Sequence, residues 1–425
     1  MGTRARMRAG AAIGSPRAGR APMPLGGTVP APRTPPPHLL SVLALAALLV
    51  GGLAGCAESN RTQLPDVGVR PPGWIDVRVA RGGAPRVGCA GPCRVLGDDG
   101  AERLLAERVD WQTPLELADE GLLLGGFNLG EPPVELRPQG SALLAVEGVR
   151  YRGLLRVEVD GEGELRVLNR LPLEDYLKGV LPGEMPDRFG SEALKAQAVA
   201  ARSYALAESA GRPWLFPDVR SQVYGGRDVE TWLASRAVEA TAGQVLVRDA
   251  DVVPAWFQST CGGGTARADQ VFDDPPEGVM DRHVPCGDCR GSPTWAWERR
   301  IAGDLVCRAA GLPDVPLERI EAEPGLFPGR PEWITVHAGG LESRVRAVDL
   351  RDRVSKGRPW NERLLSTRWQ KPPRVVDGDL VVDGHGWGHG VGLCQYGARG
   401  YARRGAGYRV ILRRYYPGAE LVQLR

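Results

Sequence analysis

The amino-acid sequence predicts an α+β protein that is rich in short β-strands and contains a few helices. The 57 glycines and 36 prolines among 425 residues predict many turns and argue against a large helical bundle. One Ala-rich helical segment stands out between stretches in which polar and apolar residues alternate. We therefore expect mixed sheets packed around one central Ala-rich helix.

Strands dominate the first part of the predicted folded region. Ile75–Val79 and Leu154–Val159 alternate apolar and polar residues, with Gly, Asp and Pro between such segments, and this pattern predicts half-exposed strands. Strands are expected over roughly residues 74–170. We divide the folded chain into an N-terminal β-rich part, residues 74–150, and a second region, residues 151–421.

The predicted central helix covers Glu192–Glu208, where Ala and Leu dominate, with Ser191 as N-cap and Gly211 as the stop. A second helix is expected over Glu230–Thr241. Further elements are predicted as strands at 244–247, 252–258, 333–337 and 379–382, and as a helix over 401–416.

The N-terminus predicts export. Residues 1–38 contain scattered Arg and Pro, and the apolar run Leu39–Leu53 is too short for a membrane-spanning helix but matches the core of a signal peptide. The run leads directly into Cys56 through small residues, which resembles a bacterial lipobox. Residues 1–56 are therefore predicted to be a lipoprotein signal peptide whose Cys56 is acylated, and residues 57–73 a tether on the extracytoplasmic side of the membrane. An ordinary signal peptide with a chance cysteine and an uncleaved anchor remain alternatives.

The charge balance argues against nucleic acid as a partner. The 54 basic and 51 acidic residues leave a net charge of only +3, so the whole protein exerts no general attraction on polyanions or anionic lipids.

Glu184 is a candidate acid or base. It lies between a predicted Pro-Gly turn and a Met-Pro pair, neighbours that restrict the backbone, and just before the predicted central helix. Apolar neighbours are compatible with burial and a raised pKa. The alternative is a carboxylate that caps the following helix.

Cysteines suggest a metal site in the middle of the chain. Cys261, His283, Cys286 and Cys289 have the number and type of ligands of a tetrahedral Cys3His zinc site. In an exported protein the competing prediction is oxidative, with Cys286/Cys289 as a disulfide. For Cys89/Cys93, which lack a nearby His, a disulfide is preferred over metal. Cys394 is expected to be a plain buried thiol.

A glycine-dense loop spans Gly384–Gly392. Its glycines let the backbone approach a ligand closely, and His385 and His389 can project toward one cleft. The alternative is a tight loop in which the histidines satisfy buried carbonyls. A catalytic zinc pair is disfavoured, because zinc hydrolases place such a His pair on a helix.

Four segments in a fixed order resemble the SpoIID/LytB family. They are Leu171–Tyr204, Gln222–Gly226, Ser259–Thr265 and Gly386–Ala398. The resemblance covers roughly Trp74 to Leu421, and it implies that residues 151–421 form the catalytic region and that some relatives hold zinc.

The resemblance implies action on peptidoglycan. One branch of the family cleaves glycan strands without water after the stem peptides have been removed, and another was named for enhancing a cell-wall amidase. The glutamate of the family's Glu-Met-Pro motif falls on Glu184, which implies the catalytic acid. Substrate contacts are implied at further positions: Arg202, Tyr204, His389, Gln395 and Tyr396.

Three functional hypotheses follow. The first is a lytic transglycosylase that cleaves the MurNAc–GlcNAc β-1,4 bond, with Glu184 indispensable and no organic cofactor; the family resemblance is to sporulation-related proteins, but the residues do not show whether sporulation is involved. The second is a non-catalytic wall-binding protein that recruits or enhances an amidase. The third, ranked lowest, is a zinc amidase that uses His385 and His389.

Overall fold

The computed structural model describes residues 73–97, 100, 102–106, 109–275, 277–325 and 329–424. The predicted signal peptide, Cys56 and the tether up to residue 72 lie outside the described residues. Within them, helices and antiparallel sheets confirm the predicted β-rich α+β fold. No described helix has the length and apolar character needed to cross a membrane.

Two six-stranded antiparallel sheets form the N-terminal part, with strand orders β1-β12-β11-β8-β3-β4 and β10-β9-β2-β5-β6-β7. The strands are β1 Ile75–Arg81, β2 Arg86–Cys89, β3 Cys93–Leu96, β4 Glu102–Ala106, β5 Val109–Ala118, β6 Gly121–Leu124, β7 Phe127–Gly130, β8 Val134–Pro138, β9 Leu144–Val146, β10 Val149–Tyr151, β11 Leu154–Val159 and β12 Leu165–Leu171. Alternate residues such as Ile75 and Val77 are buried, as the period of a half-exposed strand requires. Sheet structure thus continues past residue 150 to Leu171.

The remaining elements build the second region. The helices are α1 Leu173–Glu184, α2 Ser191–Gly211, α3 Trp232–Ala240, α4 Gly303–Ala309, α5 Ala347–Ser355, α6 Gln395–Arg403 and α7 Tyr408–Tyr415. The strands are β13 Gln244–Arg248, β14 Asp251–Val252, β15 Phe257–Gln258, β16 Ala296–Ile301, β17 Leu317–Ala322, β18 Trp333–Ala338, β19 Leu341–Arg346, β20 Arg374–Val376, β21 Asp379–His385, β22 Leu393–Cys394 and β23 Glu420–Gln423.

The Ala-rich helix α2 is central, as predicted. It is buried on all sides over Ala196–Leu206, because α1, α3, α6 and α7 pack around it and its small side chains permit close approach. The predicted N-cap is wrong: Gly190, with φ of 93°, precedes the helix, and Ser191 is its first residue.

Two other local predictions are corrected. The Pro-Gly pair before Glu184 does not form a turn, since α1 runs through Pro182 to Glu184 and ends at the extended residue Met185, which precedes a proline. The single helix predicted over 401–416 is two helices, α6 and α7, separated at Gly405 with its left-handed φ of 84°.

A second hydrophobic cluster lies within residues 301–382, where β16–β21 and helices α4 and α5 bury Val306, Ile334 and Leu350. It is separate from the large cluster shared by the two N-terminal sheets and the α2 helix bundle. Elements of both clusters border the cleft described next.

Candidate active site and cysteine cluster

A cleft of about 460 Å³ is lined from several directions. Helices α1 and α2 contribute Glu184 and Tyr204, and the glycine-dense loop contributes His389. The second hydrophobic cluster contributes α5 and the Trp360–Leu365 segment that follows it. The cleft is therefore built by parts of the chain that lie far apart in sequence.

Glu184 is a half-buried carboxylate at the last residue of α1. One carboxylate oxygen accepts a hydrogen bond from the backbone N–H of Val223 at 2.9 Å, and the Gln395 side chain donates another. Both bonds favour the ionised form, but burial outweighs them and raises the pKa of Glu184. It does not cap α2, which was the alternative prediction.

Asp352 is the other carboxylate that lines the cleft in the described part of the chain. Its carboxylate is ion-paired with Arg351, and 65% of its side chain is exposed. The two acids therefore differ in environment, because Asp352 is ion-paired whereas Glu184 has no cationic partner in the described part of the chain and has a raised pKa.

His389 lines the cleft, but both of its ring nitrogens are engaged. Its Nε2 donates to the Phe257 carbonyl at 2.8 Å, and its Nδ1 accepts from the Val391 N–H at 3.1 Å. Burial lowers the pKa of His389 to about 4, so the ring is neutral near pH 7. His385 is buried against Trp295 and does not line the cleft. The two histidines therefore do not form a zinc pair.

Arg202, expected from the resemblance to contact substrate, does not reach the cleft. Its side chain is fully buried and makes a bidentate ion pair with Glu174 at 2.9 and 2.7 Å. It also donates to the carbonyls of Gln244 and Val238. Arg202 thus joins α2 to α1 and to the residues around β13, and the substrate role is replaced by a structural one.

The other predicted contacts divide into three groups. Tyr204 lines the cleft. Gln395 is buried and reaches it only through its hydrogen bond to Glu184. Tyr396 packs edge-on against Phe189 with ring centroids 4.8 Å apart and does not line the cleft.

Four buried cysteines form a cluster that can hold a metal ion: Cys261, Cys286, Cys289 and Cys394, whose Sγ atoms all lie within 4.8 Å of one another. A tetrahedral metal with bonds of about 2.3 Å to sulfur places its ligands roughly 3.8 Å apart. The Cys261–Cys289 separation of 3.6 Å is close to that value. The backbone N–H groups of Cys261 and Gly397 both point at the Cys394 sulfur at 3.3 Å, as expected around a thiolate.

The predicted ligand set is corrected at one position. Cys394 is the fourth member of the cluster, and His283 is not. The His283 Nδ1 instead lies 2.7 Å from the carbonyl of Thr265. Cys394, expected from sequence to be a plain buried thiol, is buried but lies among three other cysteines.

The predicted disulfides are absent from the described structure. Cys286 and Cys289 are free thiols within the cluster, and Cys89 and Cys93 are also free and buried. Cys89 and Cys93 hydrogen-bond to each other, and this bond lowers the pKa of Cys89 to about 7.

Comparisons with known proteins identify the family of this chain. Residues 161–247, from β12 to β13, match the family described as SpoIID, Stage II sporulation protein. An uncharacterized protein of Brachyspira hyodysenteriae is 32% identical over 290 residues, which are 65% of this chain and 73% of that protein. The chain belongs to the SpoIID/LytB family.

Two relatives have names that refer to sporulation and to amidase enhancement. A stage II sporulation protein D of Bacillus amyloliquefaciens is 27% identical over 277 residues, 60% of this chain and 75% of the relative. An amidase enhancer of Bacillus subtilis is 26% identical over 367 residues, 72% of this chain but only 50% of the relative. The matched SpoIID segment contains Glu184, Arg202 and Tyr204 but neither the cysteine cluster nor the glycine-dense loop.

Sequence reasoning missed one aromatic wall of the cleft in this SpoIID/LytB protein. Trp360 and Trp387 meet edge-on with centroids 4.4 Å apart, and they are 42% and 44% exposed. Trp387 belongs to the glycine-dense loop. Trp360 follows a proline in a segment with no periodic pattern, so only the fold of the second cluster brings it to the cleft.

Proposed function

We propose that this protein is a peptidoglycan lytic transglycosylase that cleaves the MurNAc–GlcNAc β-1,4 bond with Glu184 as its single acid and base. The observation that carries the proposal is a cleft with one unpaired, pKa-raised carboxyl group and a second acid that is exposed and ion-paired. The family relatives named for sporulation and for amidase enhancement support a role at the cell wall.

The reaction needs only one carboxyl group. Protonated Glu184 gives its proton to the glycosidic oxygen as the bond to the MurNAc anomeric carbon breaks. The resulting carboxylate takes the proton of the MurNAc 6-hydroxyl, whose oxygen bonds to the anomeric carbon and closes a 1,6-anhydro ring. Glu184 thus ends the reaction protonated again, and no water is consumed. The donors from Val223 and Gln395 stabilise the carboxylate between the two steps.

An ordinary glycosidase instead uses two carboxyl groups on opposite sides of the bond. Asp352 is exposed and its carboxylate is ion-paired with Arg351, so it does not resemble the second carboxyl group of such an enzyme. The raised pKa of Glu184 keeps it protonated closer to neutral pH, as the first step requires.

The decisive measurement is product analysis in water enriched in oxygen-18. Amidase-stripped strands are incubated with the protein from residue 57 onward, and the fragments are analysed by mass spectrometry. Anhydro ends without the heavy isotope are expected. Reducing ends that carry oxygen-18 would show that the protein hydrolyses the bond instead. Intact strands that stay bound would favour a wall-binding protein that recruits an amidase.

Trp360→Ala is expected to weaken binding of stripped strands. Trp360 and Trp387 present exposed rings on one wall of the cleft, where sugar faces can stack. We expect KM to rise about fivefold and kcat to change by less than about threefold, since a lost stacking contact is worth roughly 1 kcal/mol. Steady-state kinetics measure this split. The matched control is Trp232→Ala, an exposed Trp on α3 that does not line the cleft, and an equal effect there would contradict the assignment.

Zn²⁺ is proposed as the metal of the cysteine cluster. Four sulfur ligands suit zinc and leave no open coordination position, so the ion is structural. A zinc tetrathiolate carries a net charge of about −2. Arg330, whose buried guanidinium pairs with no carboxylate in the described part of the chain, donates to the Cys261 carbonyl at 3.0 Å beside the cluster. This cation complements the charge that the metal site would bring.

Export and lipid attachment at Cys56 are part of the proposal, because a wall enzyme must act outside the membrane. Cys56→Ala is expected to remove fatty-acid labelling and to shift the protein from the membrane fraction. Ser59→Ala, three residues away, is the control and should leave both unchanged. Membrane retention of the Cys56 variant, without label, would instead indicate an uncleaved anchor.

A further inference from the structure

A row of alternating arginine and aromatic side chains leads away from the cleft onto the N-terminal sheet that contains β1 and β12. It consists of Arg220, Phe216, Arg78, Trp214 and Arg166, and we call it the Arg–aromatic ladder. The Arg220 guanidinium lies 4.0 Å from the Phe216 ring centroid, and the Arg78 guanidinium lies 4.7 Å from the same ring. Arg78 also lies 6.0 Å from the Trp214 centroid, and Arg166 lies 4.1 Å from it.

Backbone geometry places the ladder on one face. Leu215 bridges to β1 in parallel, accepting from the Arg78 N–H at 2.9 Å and donating to the Asp76 carbonyl at 2.8 Å. Because side chains alternate along an extended segment, buried Leu215 points inward while Trp214 and Phe216 point the other way. There they meet the outward arginines of β1 and β12.

The ladder joins the cleft directly. Arg220 lines the cleft with its neighbour Ser221, and it is exposed, whereas the other four ladder side chains are half-buried. The ladder therefore extends from the edge of the Glu184 cleft to strand β12.

The charges of the ladder are not balanced. Arg220 pairs with Asp218 and Arg166 with Glu158, but Arg78 has no ion pair among the residues that the structure describes. Burial and the nearby charges of Arg220, Arg81 and Arg166 lower the pKa of Arg78, while Asp160 only partly opposes them. Like charges held together in this way are stabilised by an anionic ligand.

We propose that the Arg–aromatic ladder is an extended binding track for the anionic glycan strand that continues out of the cleft. This inference rests on the proposed function and deepens it. MurNAc without its stem peptide bears a free lactyl carboxylate, so a stripped strand is a polyanion with alternating sugar faces. Guanidinium groups bind carboxylates with matched geometry. The Phe216 and Trp214 rings lie between the guanidinium groups and hold them in a row, so the ladder presents its cations at intervals along one line.

The test measures strand binding in the Glu184→Gln background, where strands should stay intact. Arg78→Gln is expected to raise the Kd for long stripped strands roughly three- to tenfold at low ionic strength, with a smaller effect at high salt. Arg78→Lys should retain most of the affinity. Short fragments that fill only the cleft, and long strands with amidated carboxyl groups, should bind both forms equally.

Control variants separate the track from a folding defect. Arg319→Gln changes an exposed, ion-paired arginine on β17, outside the ladder, and should leave binding unchanged. Arg166→Gln tests the far end of the ladder if Arg78→Gln lowers the melting temperature. Unchanged binding in both ladder variants would overturn the track, as would equal losses with amidated strands. Equal binding of poly(glycerol phosphate) would indicate a non-selective cationic patch instead.

Different measurements test the transglycosylase proposal and the binding track. Anhydro products from short fragments report on the cleft alone and require no ladder. Strand binding that depends on Arg78 without any product would retain the track and refute the transglycosylase.

Discussion

Glu184→Gln is expected to abolish cleavage of stripped glycan strands while making the folded protein more stable at neutral pH. One group supplies both the proton for the leaving oxygen and the base for the 6-hydroxyl, so the rate should fall by at least about 10³-fold. Gln retains an oxygen for the Val223 N–H, and the Gln395 amide can rotate to offer its oxygen. Mass spectrometry of anhydro ends measures the loss.

The stability gain follows from the raised pKa of Glu184. The folded state holds this proton more tightly than the unfolded state, so the group favours folding below its unfolded pKa, and that contribution is lost as pH rises through the folded pKa. Wild type and variant should therefore melt together near pH 4, and the variant should melt higher at pH 8. Calorimetry across this range checks the sign. A lower melting temperature for Glu184→Gln at pH 8 would mean that the carboxylate is favourably solvated.

Asp352→Asn is the matched control, because Asp352 lines the same cleft but is exposed and ion-paired. It should keep most of the activity and show no comparable gain in stability. Loss of activity in both variants would point to a two-carboxylate mechanism and contradict the single-acid proposal.

The sequence predicted the parts of this protein that depend on local pattern. Helix α2 was readable because its Ala-rich run favours a helix at every position, and β11 was readable from strict alternation. Helix α1 was misread at Pro182, since tertiary packing of its other residues sustains a helix that local propensity argues against.

The site was only partly predictable, because tertiary packing rather than local pattern brings several of its residues together. Glu184 stood out through its restricted neighbours and the family resemblance, whereas Trp360 reaches the cleft only through the fold of the second hydrophobic cluster. The family motif implied a substrate contact for Arg202, but a motif does not show which residue a side chain contacts. The partner of Arg202, Glu174, lies 28 positions away in the sequence. Cys394 joins the cluster from more than 100 residues beyond the other three cysteines, a distance that no spacing rule spans.

Cys394→Ser is expected to remove the metal and destabilise the protein severely, while His283→Ala should retain the metal. Loss of a structural metal is among the few changes that cost on the order of 4–5 kcal/mol in the free energy of unfolding. The cluster joins β22 to the Cys261 turn and the 286–289 segment, and Cys394 immediately precedes Gln395, which donates to Glu184. Metal loss should therefore displace Gln395 and reduce activity as well.

Metal content by elemental analysis and the absorption bands of a cobalt-substituted sample measure this directly. One metal per chain with bands typical of four sulfur ligands is expected for wild type and for His283→Ala. Cys307→Ser is the matched control, because Cys307 is equally buried but belongs to the second hydrophobic cluster. Metal loss in His283→Ala with retention in Cys394→Ser would restore the Cys3His site that spacing alone suggested. Because the cluster has no open coordination position, the metal is expected to be structural. Wild type stripped of metal should therefore regain both its melting temperature and its strand cleavage when Zn²⁺ is returned. A refolded, zinc-loaded protein that stays inactive would show that the metal does not support the cleft.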